Sequence, residues 1–262
     1  KNKIKKMKAT LKLSTFLVAL TSIFTFSSCL DSNDSNGYAT YSSYVTISGD
    51  IAFGYTFHSD FGAILRPTTA SVQEVLPGLS NSNVKRAFVA FDLASETENG
   101  SNLEAGKTYD IVLRQSYYAN YALPTYKTIE LTEASDSLRT NNERINNIDP
   151  NIWAINGYVN AQLTINYHPN QTFYLNTYYS EEDIDVANNT LYLNLYYNSK
   201  SENPLNQGSS VISFDLPEQI AGKFSTDSVK LVLRAKTGYD DQTMTEAGSC
   251  KVAKKDFFIP SY

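Results

Sequence analysis

Cysteine is nearly absent from this chain, and so is histidine. Only Cys29 and Cys250 occur, and His58 and His168 are the only imidazoles. No His-x-x-x-His, Gly-x-Ser-x-Gly or Cys-x-x-Cys spacing exists, so zinc hydrolysis, serine nucleophile-elbow chemistry and dithiol exchange lack their reacting groups. Neither a metal nor a cofactor is therefore expected. Long helical periodicities are also missing, and charged residues make up only 19% of the chain. What is abundant is aromatic: Tyr occurs 19 times and Phe 13 times, many in segments where apolar and polar residues alternate. Alternation at a period of two in Tyr, Phe, Val and Thr is the signature of half-buried strands, so the fold class expected is all-β. The net charge of -5 argues against a nucleic-acid partner, because such proteins carry a basic face to meet phosphate.

The first 28 residues read as a leader. Lys1, Lys3, Lys5, Lys6, Lys8 and Lys12 precede an apolar run from Leu13 to Phe26, and Ser27-Ser28 stand before Cys29. This is secretory-signal grammar, too short and one-sided to span a bilayer stably. Phe26 occupies a position where an ordinary cleavage site needs a small residue, and Phe26-Ser27-Ser28-Cys29 instead resembles a bacterial lipobox. That resemblance implies a mature chain starting at Cys29 and carrying acyl chains, each buried methylene contributing about 0.8 kcal/mol to membrane binding. A thioether at Cys29 leaves Cys250 without a disulfide partner. A nucleophilic Cys250 would need a His beside it; the simpler reading is a small, half-buried strand residue. Residues 29–37 are polar, acidic and too poor in apolar groups to fold, so they form a tether. A calcium loop fails there, since Asn36 stands where the loop needs glycine and no distal Glu follows. The acidic patch resembles the surface-export signal of Bacteroidota lipoproteins, which implies an outer-membrane, surface-exposed location with the membrane as one partner.

From Tyr38 the chain reads as strands and turns. Tyr44–Ile47, Gly54–Phe57, Ala63–Leu65 ending near Pro67, Lys85–Leu93, Tyr109–Arg114 and Thr128–Leu131 give a first block, 38–133, whose size suits a small barrel. Residues 134–148 are polar and poor in apolar groups and read as a linker, with one short helix starting at Thr132. The block 149–262 holds six or seven alternating runs and reads as an antiparallel β-sandwich.

Several motifs then combine. The lipobox and tether, Gly37-Tyr38, Ile129-Glu130-Leu131-Thr132 with Asp136-Ser137, Asp149-Pro150-Asn151-Ile152-Trp153, and Val211 to Leu216 followed by Asp227-Ser228-Val229 together resemble NigD-like lipoproteins. The resemblance implies an N-terminal OB-type barrel followed by a C-terminal β-sandwich, and a role suggested for one member in immunity to a bacteriocin. It carries no catalytic residues. A strand-turn-helix insert expected before Ile129 is shortened to Tyr121–Pro124, so an incomplete barrel is expected there.

Candidate contacts are aromatic. Tyr117-Tyr118, Tyr178-Tyr179 and Tyr196-Tyr197 each place one ring inward and the next outward on a strand, so exposed rings, with Trp153, are candidates to stack on sugars or to anchor a protein partner. The alternative is that Tyr simply favours strands in either environment. His58-Ser59-Asp60 resembles a triad in composition, but consecutive residues in a turn cannot converge as one. His168 reads as a hairpin tip, and Glu181-Glu182-Asp183-Asp185 as solvated loop charge. Asp136-Ser137-Leu138 and Asp227-Ser228-Val229 match the acceptor pattern for O-glycosylation in Bacteroidota, making Ser137 and Ser228 candidates; Asp-Ser is also ordinary turn chemistry. The expected protein is a non-enzymatic, lipid-anchored envelope protein presenting a binding surface to a secreted protein, or alternatively a glycan-binding accessory.

Overall fold

The computed structural model describes residues 40–50, 52–81, 84–95, 102–116, 119–131, 142–201, 206–238 and 243–260. The leader, the tether with Cys29, the short helix expected from Thr132, Ser137 and the Tyr117-Tyr118 pair lie outside them. No helix among the described residues is long and apolar enough to cross a membrane.

The first lobe is built from β1 (Tyr41–Asp50), β2 (Gly54–Ser59), β3 (Ile64–Pro67), α1 (Thr69–Val75), β4 (Arg86–Leu93), β5 (Thr108–Leu113) and β6 (Tyr121–Ala122). Strand order β1-β2-β3-β5-β4 closes on itself because β4 also pairs with β1, Thr46 opposite Arg86 and Tyr41 opposite Phe91. A five-stranded closed barrel with a helix between its third and fourth strands is OB-type topology. Alternation turns Val45, Ile47, Phe57, Leu65, Val89, Phe91 and Ile111 into the core and leaves Tyr44, Thr46, Arg86 and Phe88 on the outer wall. The sequence pattern holds no sign of α1. Its seven residues bury only Ser71 and Val72, too few to make a periodicity.

The barrel is complete, contrary to the expectation of a gap near Tyr121–Pro124. Where β5 leaves β4, β6 takes its place, pairing Tyr121 with Phe88 and Ala122 with Ala87. Asn120, in the left-handed region at φ 66, bridges the two: its Oδ1 accepts from Ala90 N at 3.0 Å and its Nδ2 donates to Arg114 O at 2.6 Å. A side-chain amide here stands in for a missing peptide unit.

The second lobe follows with β7 (Thr125–Tyr126), β8 (Thr128–Glu130), β9 (Asn147–Ile148), β10 (Trp153–Ile155), β11 (Tyr158–Tyr167), β12 (Tyr174–Tyr179), β13 (Ile184–Asp185), β14 (Thr190–Asn198), β15 (Asn206–Asp215), β16 (Ser228–Ala235) and β17 (Thr245–Ala253). One sheet runs β10-β11-β15-β7 with β9 also on β11; the other runs β17-β16-β14-β12-β8 with β13 on β14. Their facing residues, among them Val159, Leu163, Leu193, Leu195, Phe214, Leu231 and Leu233, form the larger core. The sheets are mixed rather than purely antiparallel: β7 with β15, β8 with β12 and β14 with β16 are parallel pairs. The reason is a crossing, since β15 lies in the other sheet between β14 and β16, so β16 returns in the direction of β14.

β7, β8 and β9 also move the passage between lobes. They pair with sandwich strands, so the chain leaves the barrel near Pro124 rather than at 134–148. Strands of two or three residues have no pattern of their own, and only the neighbours they join reveal them.

Candidate binding surfaces

A densely connected polar group lies where the lobes meet. Arg86 projects from the outer wall of the barrel and is fully buried. Its guanidinium donates to Asp60 Oδ1 and Oδ2 at 2.6 and 2.7 Å, to Thr46 Oγ1 at 3.0 Å, to Asn160 Oδ1 at 2.9 Å and to Ser213 Oγ at 3.4 Å. Every N–H of the fork is matched, which is what a buried cation needs if its desolvation is to be offset. Asn160 and Ser213 are cross-strand partners on the outer face of β11 and β15, and Ser213 Oγ donates to Asn160 Oδ1 at 2.7 Å. Arg86 therefore reads two strands of the sandwich at once. Trp153 completes the junction, donating Nε1–H to Asp60 Oδ2 at 2.6 Å and packing its ring 5.3 Å from Tyr44.

This arrangement reassigns residues expected elsewhere. Trp153 is engaged between the lobes and is no sugar platform. In His58-Ser59-Asp60, Ser59 Oγ donates to Ala63 O at 2.9 Å inside the turn, Asp60 holds Arg86, and His58 Nε2 lies 3.1 Å from Ser48 Oγ. The three point apart, and burial lowers the pKa of His58. His168 Nδ1 accepts from Asn170 N at 3.3 Å in a tight turn. Burial pushes the Cys250 thiol up to about 12, so it holds its proton at neutral pH and is a poor nucleophile. Asp183 caps the turn at Ser180, while Glu181, its side chain 72% exposed, pairs with Lys223 at 2.5 Å as solvated loop charge. Among the described residues no group of three His, Cys, Asp or Glu side chains is placed to hold a metal ion.

The tyrosine pairs follow strand geometry but not the exposure expected of them. Tyr179 and Tyr197 point into the sandwich core, Tyr179 donating to Glu130 at 3.1 Å and Tyr197 to the carbonyl of Asn166. Tyr178 points outward, yet is 0% exposed. Its hydroxyl meets that of Tyr174 at 2.6 Å and its ring meets Tyr196 edge-on at 5.0 Å. Lateral packing of rings along a sheet hides what alternation alone would expose. Tyr178, Tyr179 and Tyr197 thus offer no contact surface. Tyr196 is half-buried, as is Tyr192, whose ring lies 3.6 Å from the Arg234 guanidinium.

Three surfaces stand out among the described residues. The first is the β1–β2 turn, where Phe53 is 92% exposed. Its turn is fixed, because Asp50 Oδ1 accepts from Ala52 N at 2.7 Å and from Phe53 N at 2.9 Å. The second is a polar hollow of about 750 Å³ at one end of the sandwich, lined by Asn146, Asn147, Asn166 and Gln207 with Glu143 and Arg144. The third is a hollow of about 550 Å³ beside β16 and β17, bordered by Ser228, Ser249, Lys230 and Lys251. Neither Phe53 nor the amide cluster was among the residues singled out in the sequence. Phe53 had a signal: an aromatic between Asp50 and Gly54 in a turn has no core to enter.

Comparison with known proteins follows the same division. Residues 127–247 match the family described as NigD-like C-terminal beta sandwich domain. The chain matches no curated protein. Among solved structures, a protein of unknown function from Bacteroides vulgatus is 17% identical with a TM-score of 0.55, covering 84% of this chain and 94% of that one. A protein described as toxin-related from Parabacteroides distasonis is 18% identical with a TM-score of 0.55, covering 82% and 94%. A NigD-like immunity protein from Bacteroides caccae is 16% identical with a TM-score of 0.50, covering 81% and 96%. At such identities the likeness establishes the fold.

Proposed function

Because residues 127–247 match the NigD-like C-terminal beta sandwich domain family, we propose that this protein is a non-enzymatic envelope protein, tethered by lipid at Cys29 and displayed on the outer membrane, that binds a secreted protein in an immunity-like role. Phe53 carries this reading. A ring 92% exposed on a turn pinned by Asp50 is a preorganised aromatic anchor. Its burial in a partner is worth about 1.5–3 kcal/mol, and little ordering entropy is lost because the turn is already fixed. The loop between the first two strands is also one that OB-type folds use for ligands, which is support by analogy of fold. The immunity component draws on the Bacteroides caccae neighbour alone.

Deleting the gene and exposing cells to supernatants of sibling strains tests the proposal. Deletion should sensitise the cells, the parent gene should restore protection, and Phe53→Ser should fail to restore it while the variant accumulates normally. Killing unchanged by deletion would refute the immunity role. Cys29→Ala should release the protein from the membrane fraction.

The amide-lined hollow at Asn146, Asn147, Asn166 and Gln207 supports a second reading, a glycan-binding accessory, since amides supply the paired donors and acceptors that sugar hydroxyls need. Asn166→Ala should then abolish binding on a glycan array that Phe53→Ser leaves intact. O-glycosylation at Ser137 and Ser228 is part of the proposal, and an intact mass explained by lipid and polypeptide alone would remove it.

A further inference from the structure

Lys230 on β16 and Lys251 on β17 are partners directly opposite each other in an antiparallel pair. Both lie on the outer face of their sheet and are exposed. Like charges so placed repel and destabilise the pair. In most sheets a neighbouring carboxylate offsets this; here none borders the hollow the two lysines share. Its lining is two ammonium groups, the hydroxyls of Ser228, Ser249 and Thr226, the amides of Asn188 and Asn189, and Cys250. The carboxylate next along the same row is Asp185, which pairs with Thr190 beside Lys230. Its oxygens are engaged by Asn188 and not by a lysine: Asp185 Oδ2 accepts from Asn188 Nδ2 at 2.7 Å and Oδ1 from Asn188 N at 3.0 Å. A cation pair with no carboxylate in the lining of its hollow, in a protein of net charge -5, is a local inversion of the molecule's own field.

We propose that this hollow is a binding site for a tetrahedral oxyanion of the phosphate or sulfate class. The ammonium groups neutralise the anion from two adjacent strands, and the Ser249 hydroxyl supplies a directional hydrogen bond to its oxygens. Binding converts the Lys230–Lys251 repulsion into two attractions, so ligand affinity and sheet stability are coupled. A volume of about 550 Å³ exceeds what a bare anion fills, leaving room for a saccharide that carries it.

The test is calorimetric titration of the full chain in detergent with inorganic phosphate, inorganic sulfate, glucose 6-phosphate and glucose, at matched ionic strength. At least one oxyanion should bind and glucose should not. Lys230→Gln and Lys251→Gln should each weaken binding at least tenfold, the double variant should abolish it, and Lys251→Arg should retain it. Without anion, each single Gln variant should melt no lower than the parent, which separates lost binding from lost folding. Tighter binding of glucose 6-phosphate than of phosphate assigns the site to a phosphorylated saccharide; equal binding assigns it to the free anion. Absence of binding by every oxyanion, or binding that survives in the double variant, overturns the proposal.

Discussion

Arg86 and the Lys230–Lys251 pair are two ways of placing positive charge on a β-strand, and they have opposite surroundings. Arg86 is sealed between the lobes with a partner for each N–H. The lysines stand side by side on adjacent strands at a hollow with hydroxyls and amides around them. A cation whose valences are all satisfied by its own chain has nothing left for a ligand and serves architecture. A cation pair left in mutual repulsion costs stability, and that cost is informative about what the surface meets.

The largest effect expected along this contrast is at the junction. Arg86→Met removes the cation but leaves Asp60, with 11% of its side chain exposed, without its ion-pair partner. A loss of about 3–5 kcal/mol in urea denaturation is expected, and replacing Asp60 with Leu as well should recover part of it. Retention of full stability in the single variant would mean that the lobes are held by other contacts.

Next in size is the β10–β11 turn. Gly157 has φ +82, and a Cβ there would meet Ile259 N at 2.9 Å. Gly157→Ala should cost more than about 1 kcal/mol through backbone strain and that clash. Because Asn156 Nδ2 in the same turn donates to His58 O at 3.4 Å, the loss should also expose Trp153 to fluorescence quenchers.

A third expectation concerns pH. Tyr44 and Tyr158 are each pushed up to about 12, chiefly by burial, with Tyr121 and then Asp60 adding to the rise at Tyr44 and Asp215 at Tyr158. Below the ordinary tyrosine value of about 10, folded and unfolded chains hold the same phenolic protons. Above it the unfolded chain releases them and the folded chain does not, so stability should fall as pH rises from about 10 to about 12. Urea midpoints at intervals across that range check the sign.

The smallest effect sharpens the comparison most. Lys251→Glu turns the repelling pair into an attracting one and should stabilise the chain by about 0.2–1 kcal/mol. Added salt should shrink that gain, while the buried Arg86–Asp60 pair should be far less sensitive.

The strands were legible because their period is local. Tyr44–Ile47, Gly54–Phe57, Ala63–Leu65, Lys85–Leu93 and Tyr109–Arg114 fall on β1 to β5 with their apolar residues in the core. α1 was not legible, because seven residues with two buried make no period. The surfaces were harder still. Arg86 and Asp60 meet through barrel closure, 26 residues apart, and Lys230 meets Lys251 only through the β16–β17 register. The Tyr178-Tyr179 expectation had the right directions and the wrong exposure, because Tyr174 and Tyr196 beside it on the sheet cover the outward ring of Tyr178.

Closure of the barrel has one more consequence. With β4 joined to β1, the backbone amides of its wall are already committed in a ring, and no strand from another chain can be grafted onto it. What that lobe presents outward is side chains, and substitutions among those at its loop tips leave the hydrogen-bonded wall untouched. Such a scaffold can vary its outer surface without having to relearn how to fold.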